Sequence, residues 1–181
     1  MIVKLSNLLR TTLQHGSVDL VPLQEEIEFI QAYLDIEKLR LGKRLAVRLS
    51  VDPAIRQMLI PQLILQPLVE NAIVHGISCS REGGWIEVVT RAGADAFEIG
   101  IRNSIGGESR KGGGLGLQNT RSRLKYLYNG AASISFTIEK DKIAIATLSL
   151  PTLLSLGKVQ EDPPCLEPAN RESGAYASTD R

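Results

Sequence analysis

From Ile86 onward the chain repeats one pattern: short runs in which apolar and polar residues alternate. Ile86, Val88 and Thr90 mark one run and Phe97, Ile99 and Ile101 the next. Residues 132–139 and 143–150 form two more, joined by a tight turn at Lys140-Asp141-Lys142. A period of two sends successive side chains to opposite faces of a strand, so each run reads as a half-buried strand that needs an apolar layer on one side. An earlier run, Leu45, Val47, Leu49 and Val51, has the same period and stops at Asp52-Pro53.

The segments between the strands carry a period near 3.6. Leu23, Ile27, Ile30, Leu34 and Leu41 predict a helix over 23–41, with Pro22 suited to its start and Gly42 to its stop. Residues 61–75 predict a second helix, loosened or kinked at Pro67 by a missing hydrogen bond. Residues 115–128 predict a third, entered through a Gly/Ser/Lys-rich connector over 104–113. Leu5, Leu8, Leu9 and Leu13 form a helical stripe over 3–14 with no cap before it, which reads as the end of a helix that starts upstream. The order helix, helix, strand, helix, strand, strand, helix, strand, strand predicts an α+β, two-layer sandwich: a mixed, mostly antiparallel sheet with helices on one face. Residues 1–20 read as the end of a helical region, 21–151 as one domain, and 152–181, rich in Pro, Glu, Ser, Gly and Ala, as a disordered tail.

Composition removes several classes. A formal net charge of +1 gives no reason to expect nucleic acid or an anionic membrane surface. Cys79 and Cys165 lie far apart and outside any CxxC pattern, which fits a reducing compartment better than a disulfide framework. No apolar run approaches the roughly 18 residues of a membrane span, and the start, Met1-Ile-Val-Lys-Leu5, has no signal-peptide pattern.

Two features carry chemistry. Glu70 and Asn71 sit side by side on the otherwise apolar 61–75 helix, where a buried acid and amide are costly unless something polar meets them. The run Gly112-Gly-Gly-Leu-Gly-Leu117 opens the 115–128 helix, and bare backbone N–H groups at a helix start can hold an anion. Taken alone, the glycine run reads equally well as a flexible linker, and the Glu-Asn pair could be a satisfied polar pair in a core. The run matches neither the GxGxxG dinucleotide fingerprint nor the Gly-Lys-Ser/Thr phosphate loop. His75 and His15 read as helix-end residues, and Arg121 and Arg123 as a solvated face with a smaller chance of touching phosphate.

In combination and in this order, the fragments resemble the sensor histidine kinases of the Lyt type, whose ATPase domain has the Bergerat fold shared with gyrase. The resemblance runs from about Lys4 to Pro151. Leu5-Ser-Asn-Leu-Leu-Arg10 resembles the end of the family's dimerisation helix, and Glu25-Glu26 through Tyr33-Leu-Asp-Ile-Glu-Lys-Leu-Arg40 the conserved stretch that follows it. Leu65-Gln-Pro-Leu-Val-Glu-Asn-Ala72 with His75-Gly76 is similar to the N box, and Gly112 to Leu117 with Asn119, Arg123 and Leu124 to the glycine box. The resemblance implies ATP and Mg²⁺ as ligands, with transfer of the γ-phosphoryl to a histidine outside this chain. Asn71 would ligate Mg²⁺, and Glu70 would support the metal's water shell or orient the attacking group. His75, Gly76, Asn103, Gly107, Gly112, Gly114, Leu115, Gly116, Leu117 and Thr147 would line the nucleotide, Asn103 and Thr147 near the adenine.

The same resemblance implies a homodimer through the N-terminal helix region, a cognate response regulator as partner, and a cytoplasmic location, with membrane contact only through segments upstream. The chain also departs from the family. Asn103 stands where an acidic residue is usual, Ile105 where a glycine is usual, and Val74 where many relatives have lysine. Pro67 occupies the position of the general base in gyrase-like relatives, and no Pro-His-Phe-x-Phe-Asn phosphoacceptor block is present. These departures keep open an alternative: a degenerate, non-catalytic regulatory or dimerisation module of the same fold.

Overall fold

The computed structural model describes residues 20–106, 115–140 and 142–152, which belong to one compact unit, Val18–Val159. The 3–14 helix, the connector's glycines and the 152–181 tail expected from sequence lie wholly or almost wholly outside the described residues. The chain runs β1 (Leu20–Pro22), α1 (Leu23–Leu41), β2 (Leu45–Ser50), β3 (Leu59–Pro61), α2 (Gln66–Asn71, continued as a π-helix over Ala72–Ile77), β4 (Gly84–Arg91), β5 (Ala96–Ser104), α3 (Leu115–Tyr128), β6 (Ser133–Glu139) and β7 (Ile143–Pro151).

Helix α1 has the bounds its periodicity predicts. Leu23, Ile27, Ile30, Tyr33, Leu34 and Leu41 are buried along one stripe, and the chain leaves the helix at Gly42 with φ 59° and ψ −134°, a conformation open to glycine. The main sheet has the order β2-β4-β5-β7-β6. The β2–β4 pair is parallel, from Leu45 opposite Gly84 to Ser50 opposite Val89, and every other pair is antiparallel. A parallel pair needs a crossover between its strands, and α2 supplies it.

The alternation seen in the sequence becomes two faces. Leu45, Ile86, Val88, Phe97, Ile99, Ile101, Leu148 and Leu150 are buried in one core with the apolar stripes of the three helices. The opposite face carries half-buried and exposed residues, among them the cross-strand ion pair Arg102–Glu87 at 3.2 Å. The expected two-layer α+β sandwich is therefore the observed one.

Two short elements were not expected. β1 pairs antiparallel with β3, Leu20 opposite Pro61 and Pro22 opposite Leu59, apart from the main sheet. Three-residue strands have too few positions to show a period. Their pairing occupies residues 59–61, so α2 starts at Gln66 and not at Pro61.

Candidate functional site

Helix α2 is the spine of the site, and its start is built by another element. Leu63 has φ 57°, rare for a β-carbon-bearing residue. Leu65, at the N-cap, offers no side-chain cap. The carboxylate of Glu26, reaching from α1 and only 2% exposed, accepts hydrogen bonds from Leu63 N at 2.6 Å and Leu65 N at 3.3 Å. It thereby takes N–H groups that the turn and the helix start leave without helical partners. Pro67 falls in the first helical turn, where no hydrogen bond is lost. The kink expected at Pro67 does not arise for that reason.

Past Asn71 the helix widens by one residue per turn, with Ser78 N donating to Ile73 O at 2.8 Å. Such π segments recur at functional sites. The inner face of α2 buries Leu68, Val69, Ala72, Ile73, Gly76 and Ile77. Glu70 and Asn71 lie at the border of that face and are half-buried, less covered than an apolar helix implied. Gln66 Nε2 donates to Glu70 Oε1 at 2.7 Å, one turn back. Among the described residues nothing holds the Asn71 amide. Val74 is 50% exposed, and His75 is exposed.

Tyr33 of α1 lies near the acid. Burial, then the negative charges of Glu37 and Glu70, push its phenol up to about 12, so it remains protonated near neutrality. Farther along α1, Arg40 pairs with Glu37 and donates to Ser78 Oγ at 3.2 Å. The stretch Tyr33 to Arg40 thus runs beside α2.

The two ends of α2 meet the other predicted residues. At the first turn, a β-carbon on Gly116 of α3 would lie 3.5 Å from Pro67 Cβ, so the start of α3 packs beside the start of α2. At the far end Gly76 lies against Asn103, which is 4% exposed; a β-carbon on Gly76 would overlap the Asn103 amide nitrogen. That nitrogen donates to Ser104 O at 2.9 Å, which orients the amide. Gly106 N then donates to Gly76 O at 3.3 Å, and Ile105 N to Lys142 O at 2.7 Å. From Pro67 to Gly76 the helix spans roughly 13 Å at 1.5 Å per residue, with Glu70 and Asn71 between the two contacts.

Other sequence candidates fall elsewhere. Leu117 is 9% exposed and belongs to the core, where it anchors α3. Leu115 begins α3; Gly107, Gly112 and Gly114 lie outside the described residues. Thr147 is opposite Gly100 on β7 and alternates with the buried Ala146 and Leu148. Its side chain is therefore on the sheet face opposite Asn103, and the structure does not bring these two together.

Two residues acquire roles that the sequence reading did not assign. Glu26 lies on the apolar stripe of α1, three residues after Leu23 and four before Ile30, and an acid in that register is the signal that could have identified it. Burial pushes its carboxyl pKa up, against the opposing pull of the Leu63, Leu65 and Ile64 N–H groups and of the Arg123 charge. Arg123, expected on a solvated face, is instead half-buried and donates from Nη1 to Gln62 O at 2.7 Å. Arg121 is exposed as expected.

Comparison with known proteins bears on the family and the fold. A family model described as Histidine kinase matches residues 1–45. Sensor histidine kinase BtsS of Escherichia coli (strain K12) is 34% identical over 149 residues, covering 81% of this chain and 26% of that protein. Sensor protein LytS of Oceanobacillus iheyensis is 33% identical over 139 residues, covering 68% and 24%. The chain thus spans about a quarter of the length of these curated relatives. Among solved structures, the catalytic domain of histidine kinase ThkA in a nucleotide-free form aligns with a TM-score of 0.57 at 12% identity, over 75% of this chain and 97% of that one. Acinetobacter baumannii histidine kinase AdeS aligns with a TM-score of 0.57 at 13% identity, over 81% and 73%. At such identities the structural likeness is one of fold, whereas the sequence relatives are named sensor kinases. The chain belongs to the Lyt-type sensor histidine kinases and carries the fold of their catalytic domain.

Proposed function

We propose that this chain is the catalytic, nucleotide-binding portion of a bacterial two-component sensor histidine kinase, which binds Mg-ATP along α2 and passes the γ-phosphoryl to a histidine outside this domain. The observation that carries the reading is the layout of α2: a half-buried Glu70–Asn71 pair with the Pro67–Gly116 contact at one end and the Gly76–Asn103 contact at the other. The residues fit the ligand. Asn71 presents an amide oxygen that no described residue uses, and amide oxygens are suitable ligands for Mg²⁺. Among the described residues no group of three or more His, Cys, Asp or Glu could hold a metal, so an ion at Asn71 would take further ligands from the phosphates and water. The ion would neutralise phosphate charge, which is the main demand of phosphoryl transfer.

The chain's own residues then divide the work. Asn71 would orient the ion, and Glu70, held by Gln66, would set the water shell or the attacking group. With its nitrogen committed to Ser104 O, Asn103 has its carbonyl oxygen left to accept a hydrogen bond from an adenine amine. Gly116 and the glycines before it would allow close backbone approach to phosphate. Histidine kinase ThkA has been solved in complex with response regulator protein TrrA, and that structure aligns with a TM-score of 0.54 at 15% identity. A response regulator is accordingly the partner we propose, with homodimerisation through the N-terminal region. No helix among the described residues is long and apolar enough to cross a membrane, and a cytoplasmic placement, where ATP is available, is part of the proposal.

Titration of the chain with Mg-ATP tests the reading. A ligand at a hundred times its Kd stabilises the native state by about 2.7 kcal/mol, so saturating Mg-ATP should raise Tm, and calorimetry should show magnesium-dependent heat. A second reading, a non-catalytic module of the same fold, is favoured by Asn103 in place of an acid and by the exposed, uncharged Val74. Absence of both thermal shift and heat would select it.

A further inference from the structure

Residues 62–67 lead into the helix that carries Glu70 and Asn71, and they are gripped from two sides. From α1, Glu26 accepts from Leu63 N and Leu65 N. From α3, Arg123 donates to Gln62 O, and Gly116, two turns earlier on the same helix, packs beside Pro67. The segment includes the left-handed Leu63, a conformation that persists only where surrounding contacts over-determine it. Glu26 was no candidate ligand residue, and Arg123, for which the sequence reading allowed a smaller chance of touching phosphate, donates from Nη1 to the Gln62 carbonyl instead. Glu26 is covered almost completely, and the Arg123 guanidinium that hydrogen-bonds the Gln62 carbonyl is half-buried.

We infer that Glu26 and Arg123 are positioning residues for Asn71, setting the start of its helix from α1 and α3 so that the glycine-box helix and the N-box helix move as one body. The inference rests on the nucleotide-binding reading given above. Its physical basis is leverage. Asn71 is six residues beyond Leu65, roughly 9 Å along a helix, so a displacement of the first turn is carried to the amide. A misplacement of about 1 Å can cost on the order of a hundredfold where geometry is demanding. A metal ligand demands such geometry, whereas contacts that involve no metal ion do not depend on where the Asn71 amide lies. Loss of the grip should therefore weaken the magnesium-dependent part of nucleotide affinity and leave the metal-independent part intact.

The test uses the whole chain and calorimetric titration with ADP, once with Mg²⁺ and once with a chelator. Arg123→Ala should lower the affinity with magnesium about tenfold, the equivalent of one lost hydrogen bond to a charged group, and change the chelated affinity by less than about twofold. Arg123→Lys should recover most of the loss, because an ammonium still donates to the Gln62 carbonyl. Combining Arg123→Ala with Asn71→Ala should cost no more than Asn71→Ala alone, since one acts through the other. Glu26→Gln is the companion variant and, being buried, could fail to fold; the Arg123 series decides without it. Equal losses with and without magnesium, or additive losses in the double variant, overturn the inference. An unchanged magnesium-dependent affinity in Arg123→Ala does so as well. Wild-type protein that shows no magnesium-dependent binding would instead bring down the functional reading and this inference with it.

Discussion

As the proposed magnesium ligand, Asn71 would serve binding without holding the fold together. It sits at the border of the buried face of α2, beside Leu68 and Ala72, which hold that face in the core. Replacing it with alanine should leave the Tm of the nucleotide-free protein within a degree or two. It should weaken Mg-ATP binding by about tenfold to a hundredfold, as expected for removing a partner of a charged group. A sharp fall in the nucleotide-free Tm with unchanged affinity would place the amide in a structural role. The pair itself was legible from its residue types on an apolar helix. Glu26 was not, although it occupies the same kind of position, an acid on an apolar stripe. The difference is that the partners of Glu26 are backbone N–H groups 37 and 39 residues away. No local pattern announces them.

Helix bounds followed from sequence wherever the stop was chemical. Gly42 ends α1 because φ 59° with ψ −134° is open to glycine and strained for any residue with a β-carbon. Gly42→Ala should cost about 1–3 kcal/mol of stability in a denaturant titration, the usual penalty of a sparsely populated backbone region. Nothing lies within 4 Å of the added methyl group, so steric overlap would not contribute. A cost below about 0.5 kcal/mol would mean that the helix end relaxes to another conformation. Helix α2 was less legible. Its apolar periodicity begins before the helix does, because Leu59–Pro61 pair with Leu20–Pro22 in a strand too short to show a period. Pro67 then sits where the helix needs no N–H, so a residue that suggested a kink marks a start.

The sheet determines which candidates can share a ligand. Asn103 and Thr147 lie on adjacent strands, but Asn103 is opposite Ala144 with its side chain on the helix-covered face, and Thr147 alternates to the other face. Thr147→Val, which keeps the shape and suits a strand, should leave nucleotide affinity unchanged within about twofold. Asn103→Ala should weaken it by about tenfold or more, measured on the folded fraction, since the Ser104 bond is lost too. A tenfold loss in Thr147→Val with normal folding would show that the outer face takes part in binding.

The sequence by itself determined the alternation of the five main strands, the stripe of α1, the start and end of α3, and the layered α+β class, because period and turn chemistry act over a few neighbouring residues. It also marked Glu70, Asn71 and the glycine run as chemically unusual. Only the tertiary structure decided that β2 and β4 run parallel, that Gly76 backs onto Asn103, that Thr147 is turned away, and that Arg123 grips Gln62 instead of facing water. Each of those depends on which distant segment a residue meets, and strand register and helix packing are set by the sum of many weak burial terms across the chain, which no short stretch contains.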